Sequence, residues 1–225
     1  MDISFNTKPA VSFMSVGFDS EVIEELNTHI DDELIDAMDR AKGPIKFSHT
    51  LDYVGKMFGD YICRLSNTYM KEANIDIVTN EKASEYAPSI TGDEHREYNP
   101  KMHSMSIERI FSGTTQQGNT DGELSCILYL KVPEQVAGKV EFAGYGTFDD
   151  GEEKETNGGY THLSWGSISE PSMLKPVTEQ YLKPEVGKMI MFPSWLNYVV
   201  MPFSGDGESR ILTANVNLPE KQNEH

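Results

Sequence analysis

Basic residues, cysteines and long apolar runs are all scarce in this sequence, and each scarcity argues against a class of protein. Only 19 Lys and Arg residues stand against 36 Asp and Glu residues, which gives a formal net charge of −17. A surface of that sign repels phosphate backbones and anionic lipids, so we expect neither nucleic acid nor a membrane as a partner. An acidic surface is instead suited to binding a partner protein with a basic surface, or a divalent cation.

The two cysteines, Cys63 and Cys126, lie far apart in apolar segments. No Cys-x-x-Cys pair or Cys/His cluster indicates zinc, so we expect two buried thiols in a reducing cytosol. No apolar run approaches the roughly 18 residues that span a bilayer. The start, MDISFNTKP, lacks the basic and apolar regions of a signal peptide. The sequence therefore predicts a soluble protein made in a cytoplasm.

Two apolar stripes at three- and four-residue steps predict two helices in the first third of the chain. The first helix is expected over residues 19–40 and the second over 50–71, with Thr50 as the cap of the second. Residues 3–16 predict an opening pair of strands. The stripe residues are Val22, Ile23, Leu26, Ile30, Leu34, Ile35 and Met38, then Val54, Met57, Phe58, Tyr61, Ile62, Leu65, Tyr69 and Met70.

Short β-branched and aromatic runs, broken by Pro and Gly, predict strands through the rest of the chain. Turns are expected at Phe192-Pro193 and at Gly205-Asp206-Gly207. The connections 81–100 and 147–159 are polar and are expected to be exposed. The predicted strands are 106–111, 124–132, 189–191, 198–201 and 211–216.

The closing stretch, KMIMFPSWLNYVVMPFSGDGESRILTANVNL, resembles the C-terminal half of the double-stranded β-helix of the 2-oxoglutarate/Fe(II) oxygenases, in the branch met in tailed-phage genomes. In that branch a Phe-Pro-Ser turn and an aromatic or Leu pair precede the distal iron-binding His, and an Arg follows in the last strand. The matching residues here are Phe192, Pro193, Ser194, Trp195, Leu196, Val199, Pro202 and Arg210. At the position of the ligand His this chain has Tyr198.

A second block, SGTTQQGNTDGELSCILYLKVPE, resembles the same branch, where a Gly-rich loop with a His-x-Asp or His-x-His pair precedes a strand. Counting back without a gap places Asn119 at the first His and Asp121 at the second ligand. The residues that reproduce the strand are Leu124, Ser125, Tyr129, Leu130, Lys131, Val132 and Pro133.

The resemblance implies one domain over residues 1–225, mainly β with some α. Its core, over 105–218, is expected to be a double-stranded β-helix (a jelly roll, cupin-like). Residues 1–104 are expected to form a support layer of helices and strands, with the helices packed on one sheet.

The family's metal site implies a facial triad of two imidazoles and one carboxylate around Fe(II). On this alignment only Asp121 of the three ligands remains, because an Asn amide is a weak ligand and a neutral phenol does not replace imidazole. We therefore expect no catalytic residue, no cofactor, and no metal at the vestigial positions Asn119, Asp121 and Tyr198. An active enzyme would use Fe(II) and 2-oxoglutarate.

If a cosubstrate still binds, the resemblance assigns it to Tyr129 and to Arg210, which the last strand is expected to carry inward beside the vestigial positions. Both residues have structural alternatives, namely a packed aromatic for Tyr129 and a buried or rim salt bridge for Arg210. Residues 119–122 also fit an ordinary turn. His162 fits a structural or surface role as well as a place at the mouth of the barrel.

Three functions stay open at this point. The first is a non-catalytic descendant of the oxygenase fold with a structural or interaction role, in the host cytoplasm or in a virion neck, tail or baseplate. The second is an active Fe(II)/2-oxoglutarate hydroxylase with other ligands, and the third is a module that holds a small acid on Arg210 without chemistry. The ligand losses favour the first. The connections 81–100 and 147–159 would then contact a basic protein surface, in an association that weakens as salt rises.

Overall fold

The structure, a computed structural model, describes residues 3–8, 11–38, 47–50, 53–73, 99–114, 116–117, 121–137, 158–165 and 179–219. In chain order they form β1 (Ile3–Lys8), β2 (Val11–Gly17), α1 (Ser20–Met38), β3 (Phe47–Thr50), α2 (Tyr53–Ala73), β4 (Lys101–Phe111), β5 (Gln116–Gln117), β6 (Leu124–Lys131), a helical turn at Glu134–Ala137, β7 (Thr161–Ser164), β8 (Glu179–Leu182), β9 (Lys188–Pro193), β10 (Asn197–Val200) and β11 (Glu208–Asn217).

The strands form two antiparallel sheets that face each other. The larger sheet has the order β1-β2-β9-β6-β11-β4-β3 and the smaller has the order β5-β10-β7-β8. Side chains from both sheets share one core, in which Ile127 and Phe192 of the larger sheet meet Leu163 and Tyr198 of the smaller. This is the predicted double-stranded β-helix, and the prediction of the fold is confirmed.

The two helices cover the outer face of the larger sheet, as predicted. Their apolar stripes share a second core with alternate residues of the central strands. The Tyr69 hydroxyl donates a hydrogen bond to the Ser12 carbonyl at 2.8 Å, which joins α2 to β2. The helix residues of this core are Ile23, Leu26, Ile30, Leu34, Phe58, Ile62, Leu65, Tyr69 and Met70.

Strands β6 and β11 are buried along almost their whole length, because one face lies under the helices and the other under the smaller sheet. Successive side chains point to opposite faces of a strand. Leu128 and Leu212 therefore lie in the core under the helices, whereas Tyr129 and Ile211 lie between the sheets. The pairing register of the two strands shifts between Arg210 and Ile211.

Several local predictions differ from the structure. Thr50, expected to cap α2, instead ends β3, which pairs with β4 at the edge of the larger sheet. The turn expected at Phe192-Pro193 begins at Ser194 instead, because Phe192 and Pro193 still pair with β6. Val22 was expected in the apolar stripe of α1 but is exposed. The predicted strands 106–111, 124–132, 189–191, 198–201 and 211–216 all fall on observed strands, with small differences at their ends.

Some predictions lie outside the described residues. These are most of the connections 81–100 and 147–159, together with the vestigial position Asn119. Residues before 105 contribute β1, β2 and β3 to the larger sheet in addition to the helices that cover it. Among the described helices, none is both long and apolar enough to cross a membrane.

The docking of α1 on the sheet can be tested at Ile30, which is fully buried in the core under the helices. Ile30→Ala should lower the free energy of unfolding by about 2–5 kcal/mol, because it removes buried methyl groups and leaves a cavity. Urea unfolding followed by circular dichroism measures this loss. Val22→Ala on the same helix is the control and should change stability by less than about 0.5 kcal/mol, since Val22 is exposed. Equal losses in the two variants would contradict the packing of α1.

Candidate functional site

Tyr198 lies at the position where the resemblance expects the distal iron-binding His. It stands on β10 opposite Leu163 and points into the space between the sheets, where it is 3% exposed. Its ring meets the edge of the Phe192 ring at a centroid distance of 5.6 Å. Burial raises the pKa of the Tyr198 phenol, and the nearby negative charge of Glu108 adds to the rise. The phenol is therefore neutral at physiological pH.

Tyr129 also lies between the sheets, as a packed aromatic. Its hydroxyl donates a 2.7 Å hydrogen bond to Thr161 Oγ1 on the smaller sheet, and both residues are buried. Burial raises the pKa of Tyr129, although the hydrogen bond with Thr161 opposes the rise. Tyr129 thus ties the two sheets together in the same core as Tyr198.

Glu108 is a buried carboxylate in this core that sequence reasoning missed. It stands opposite Ile211 in the β4–β11 register, so it shares the face that looks toward the smaller sheet, and it is 4% exposed. The alternation of apolar and polar residues in 105–108 suggests a strand with one solvated face. Both faces of β4 are covered here, so the polar face includes a buried carboxylate near Tyr198.

Arg210 points to the other face of the larger sheet, under α1. It is 2% exposed, and its Nη1 lies 2.7 Å from Asp31 Oδ1 and 3.1 Å from Asn27 Oδ1. Its Nε donates to Glu208 Oε1 at 2.9 Å. The expectation that the last strand carries Arg210 inward is wrong, because Ile211 occupies the inward position. Of the two interpretations of Arg210, the structure contains the buried salt bridge.

Glu208 is shared by two guanidinium groups. Arg109 Nη2 lies 2.6 Å from Glu208 Oε2, while Arg210 binds the other oxygen. Burial alone would raise the pKa of Glu208, but hydrogen bonds from Arg109 and Arg210, together with their positive charges, outweigh burial and the pKa is lowered. The carboxylate is therefore held ionised by the structure.

Asp121 lies at the opposite end of the larger sheet from Arg210. The residues next to it meet the end of β11, where the Glu123 N–H donates to the Val216 carbonyl at 3.0 Å. Arg210 is six positions away from Val216 on β11, so roughly 20 Å separates the two ends at ~3.3 Å per residue. The prediction that Asp121 lies near Arg210 is wrong. Asn119 lies outside the described residues.

A row of polar residues, buried except for the half-buried Ser104, lines the inter-sheet face at the Asp121 end. Ser125 Oγ donates to Asn215 Oδ1 at 2.7 Å, and the Ser194 hydroxyl lies 2.8 Å from Ser125 Oγ. Asn215 Nδ2 in turn donates to Ser104 Oγ at 3.1 Å. Because Ser125 uses its proton on Asn215, Ser194 is the donor in the Ser125–Ser194 pair. These bonds join β4, β11, β6 and the end of β9.

His162 lies on the outer face of the smaller sheet rather than at a site between the sheets. Its neighbours Thr161 and Leu163 point inward, so its own ring points outward. The ring stacks on Tyr181 at 4.5 Å and lies 3.0 Å from Glu179 Oε2. The structural or surface interpretation of His162 is the one observed.

Two of the positions that the resemblance assigns to iron and cosubstrate have other partners in the structure. Tyr198 offers a neutral phenol in contact with an aromatic ring, and Arg210 is bound by the protein's own carboxylates on the opposite face. Within the described ranges, no group of three His, Cys, Asp or Glu side chains could hold a metal ion. The core between the sheets has the contacts of a packed interior.

The family model described as "Putative 2OG-Fe(II) oxygenase" matches residues 116–215 of the chain. This span runs from β5 almost to the end of β11 and contains Tyr129, Tyr198 and Arg210. No curated protein matches the sequence.

The chain is similar to several solved structures. A prolyl-4-hydroxylase from Pseudomonas putida is 13% identical over 94% of each chain, with a TM-score of 0.47. HygX from Streptomyces hygroscopicus, with nickel and 2-oxoglutarate bound, is 9% identical over 92% of this chain and 82% of its own, with a TM-score of 0.48. A 2OG-Fe(II) oxygenase family oxidoreductase from Burkholderia pseudomallei is 14% identical over 53% of this chain, with a TM-score of 0.32, and the chain covers 44% of its length.

The charge network around Glu208 predicts a specific pH dependence. Since the pKa of Glu208 is lowered in the folded state, its contribution to stability is complete above about pH 5, where the unfolded chain is also ionised. The contribution is lost as the pH falls through the lowered folded-state pKa. Glu208→Gln should therefore cost stability at pH 7, and that cost should shrink on acidification. Urea unfolding of both proteins between pH 7 and about pH 3 measures this.

Glu185→Gln is the matched control, because Glu185 forms an exposed pair with Lys188 and such pairs contribute little. Its stability difference from the wild type should stay small at every pH. A stability cost of Glu208→Gln that does not change with pH would contradict the role of the ionised carboxylate.

Proposed function

We propose that the chain is a non-catalytic protein built on the fold of the 2-oxoglutarate/Fe(II) oxygenases, and that it serves as a structural or interaction subunit. The observation that carries the proposal is the environment of Tyr198. This residue stands where the resemblance expects the distal ligand, and its phenol is buried against Phe192 with a raised pKa. A neutral phenol supplies no imidazole nitrogen to a metal.

The surroundings of Arg210 give the proposal a second support. A small dicarboxylic acid would have to displace Asp31 and Glu208 from the guanidinium and would have to enter under α1. Breaking a buried ion pair is costly, because it leaves a charge uncompensated. These contacts also weigh against the third candidate, a module that holds a small acid on Arg210.

An active hydroxylase is the alternative that the family match over residues 116–215 favours. Such an enzyme would use Fe(II) and 2-oxoglutarate as cofactors. It would need metal ligands other than Asn119 and Tyr198, and a cosubstrate anchor other than the guanidinium of Arg210.

The proposed setting is a protein assembly, and the resemblance to the tailed-phage branch makes a virion the specific case. The net charge of −17 favours partners with basic surfaces over nucleic acid or anionic membranes. Assembly of this kind should weaken as the salt concentration rises, because salt screens exposed charges.

The proposal predicts that the wild-type protein holds no stoichiometric iron and consumes no 2-oxoglutarate. The test is metal analysis of protein purified under anaerobic conditions with Fe(II) supplied, together with an assay of 2-oxoglutarate turnover. A wild-type protein that binds one equivalent of iron and turns over 2-oxoglutarate would overturn the proposal and establish the hydroxylase.

The alignment itself is tested by rebuilding the triad with Asn119→His and Tyr198→His. Metal affinity should rise clearly in the double variant and much less in either single variant, because a facial triad needs all its ligands. Tyr198→His alone is the matched control, since it carries the same change in the buried core. Thermal unfolding of each variant shows that it folds. A double variant that folds but binds metal no better than the singles would show that the two positions do not converge on Asp121.

A further inference from the structure

The turn between β9 and β10 presents an indole ring to solvent. Trp195 is 60% exposed, whereas Ser194 and Leu196 on either side are buried. The Ser194 N–H donates to the Glu123 carbonyl at 3.0 Å, and the Leu196 N–H donates to the Pro193 carbonyl at 3.1 Å. The turn is thus fixed on both sides of the exposed ring. A partner that binds there does not have to order the backbone.

Trp195 differs from the other large hydrophobic side chains that are exposed in the described part of the chain, which are Val22, Tyr181 and Val186. The Tyr181 ring already stacks on His162. Val186 precedes β9, so it lies at the other end of the strand that leads to Trp195. Trp is among the residue types most enriched in interface hot spots.

The described charges beside Trp195 are acidic. Leu124 pairs with Pro193, which brings the turn 121–123 next to the turn that carries Trp195. Asp121 and Glu123 are exposed there, and Glu123 Oε2 also accepts a 2.9 Å hydrogen bond from the Leu218 N–H. Lys101 and His103 lie at the same end, but β6 and β11 separate their strand from β9. Three strand spacings of ~4.8 Å put them roughly 14 Å away.

We propose that Trp195, with the acidic turn 121–123 beside it, is the contact point for a partner protein that places a Lys or Arg side chain over the indole ring. Trp is the best aromatic acceptor for such a cation–π contact, and the neighbouring carboxylates favour the same charge. A second copy of this chain is a poor occupant, because a two-fold contact would bring two acidic turns together on chains that each carry −17. This contact rests on the proposed interaction role, because it names the kind of partner that would bind. It does not depend on whether the protein binds iron.

The test uses the full chain and a short synthetic peptide of alternating Gly and Lys, titrated at low salt by calorimetry. The wild type should bind this peptide, and an alternating Gly-Glu peptide should not bind. Trp195→Ala should weaken binding of the Lys peptide about two- to fivefold without any change in charge, as expected for loss of a cation–π contact at an exposed site. Trp195→Phe should retain most of the affinity, and Val186→Ala, the exposed control at the other end of β9, should bind as the wild type does.

Thermal unfolding of each variant confirms that it is folded. Equal affinity of the wild type and Trp195→Ala would overturn the proposal, because binding would then reflect diffuse attraction to the acidic surface. Absence of binding to the wild type at low salt would also overturn it. Self-association of the wild type that disappears in Trp195→Ala, measured by sedimentation without peptide, would show that a second copy is the occupant. None of these outcomes depends on the iron measurement.

Discussion

A guanidinium buried to 2% exposure must be neutralised where it lies, and this requirement organises one end of the larger sheet. Glu208 neutralises Arg210 from within β11 and binds Arg109 of β4 as well. The remaining partners come from α1, where Asn27 and Asp31 lie four residues apart on one side of the helix. The ion pair therefore fixes where α1 crosses the sheet, and with it the apolar core that the helix covers. The Asn27 amide adds a 3.2 Å hydrogen bond to the carbonyl of Leu130, the residue of β6 at which the β6–β11 register shifts.

The sequence predicts the elements of this fold much better than it predicts their faces. The helical stripes and the strand runs are local signals, so α1, β6, β9 and β11 fall where the patterns indicate. The face of Arg210 depends on alternation along a strand that is buried on both sides, where polar residues such as Thr213 and Asn215 are buried as well, so polarity does not mark the orientation. For the same reason Glu108 reads as a solvated residue, although both faces of β4 are covered. The pairing of β3 with β4 is a long-range contact that short windows of sequence do not contain.

Arg210 does not share a face of the larger sheet with the other site residues implied by the resemblance. Tyr198 and Tyr129 lie between the sheets, Arg210 lies under α1, and Asp121 lies at the far end of β6. Matching two sequences residue by residue gives the order of these positions along the chain but does not give the faces to which they point. A shift of one residue in strand register moves a side chain from one core to the other without any change in fold. Arg210 and Ile211 show the effect of this alternation, since Ile211 pairs with Tyr129 and lies between the sheets while Arg210 lies under α1.

Catalytic constellations usually cost stability, because they place polar or strained groups where packing would favour apolar ones. Around Tyr198 and Tyr129 the core between the sheets is packed, and its polar groups take part in hydrogen bonds. Tyr198 meets the edge of Phe192, and Tyr129 satisfies its hydroxyl on Thr161 while its ring stays buried. In the polar row from Ser194 to Ser104, each hydrogen bond joins residues of neighbouring strands. The hydroxyl and amide groups of the row therefore stabilise the sheet to which they belong. Glu108 is a buried acidic group in the same core, and after burial it is the next cause of the raised pKa of the Tyr198 phenol. Both causes keep the phenol protonated, so Tyr198 acts in this core as a packing group against Phe192.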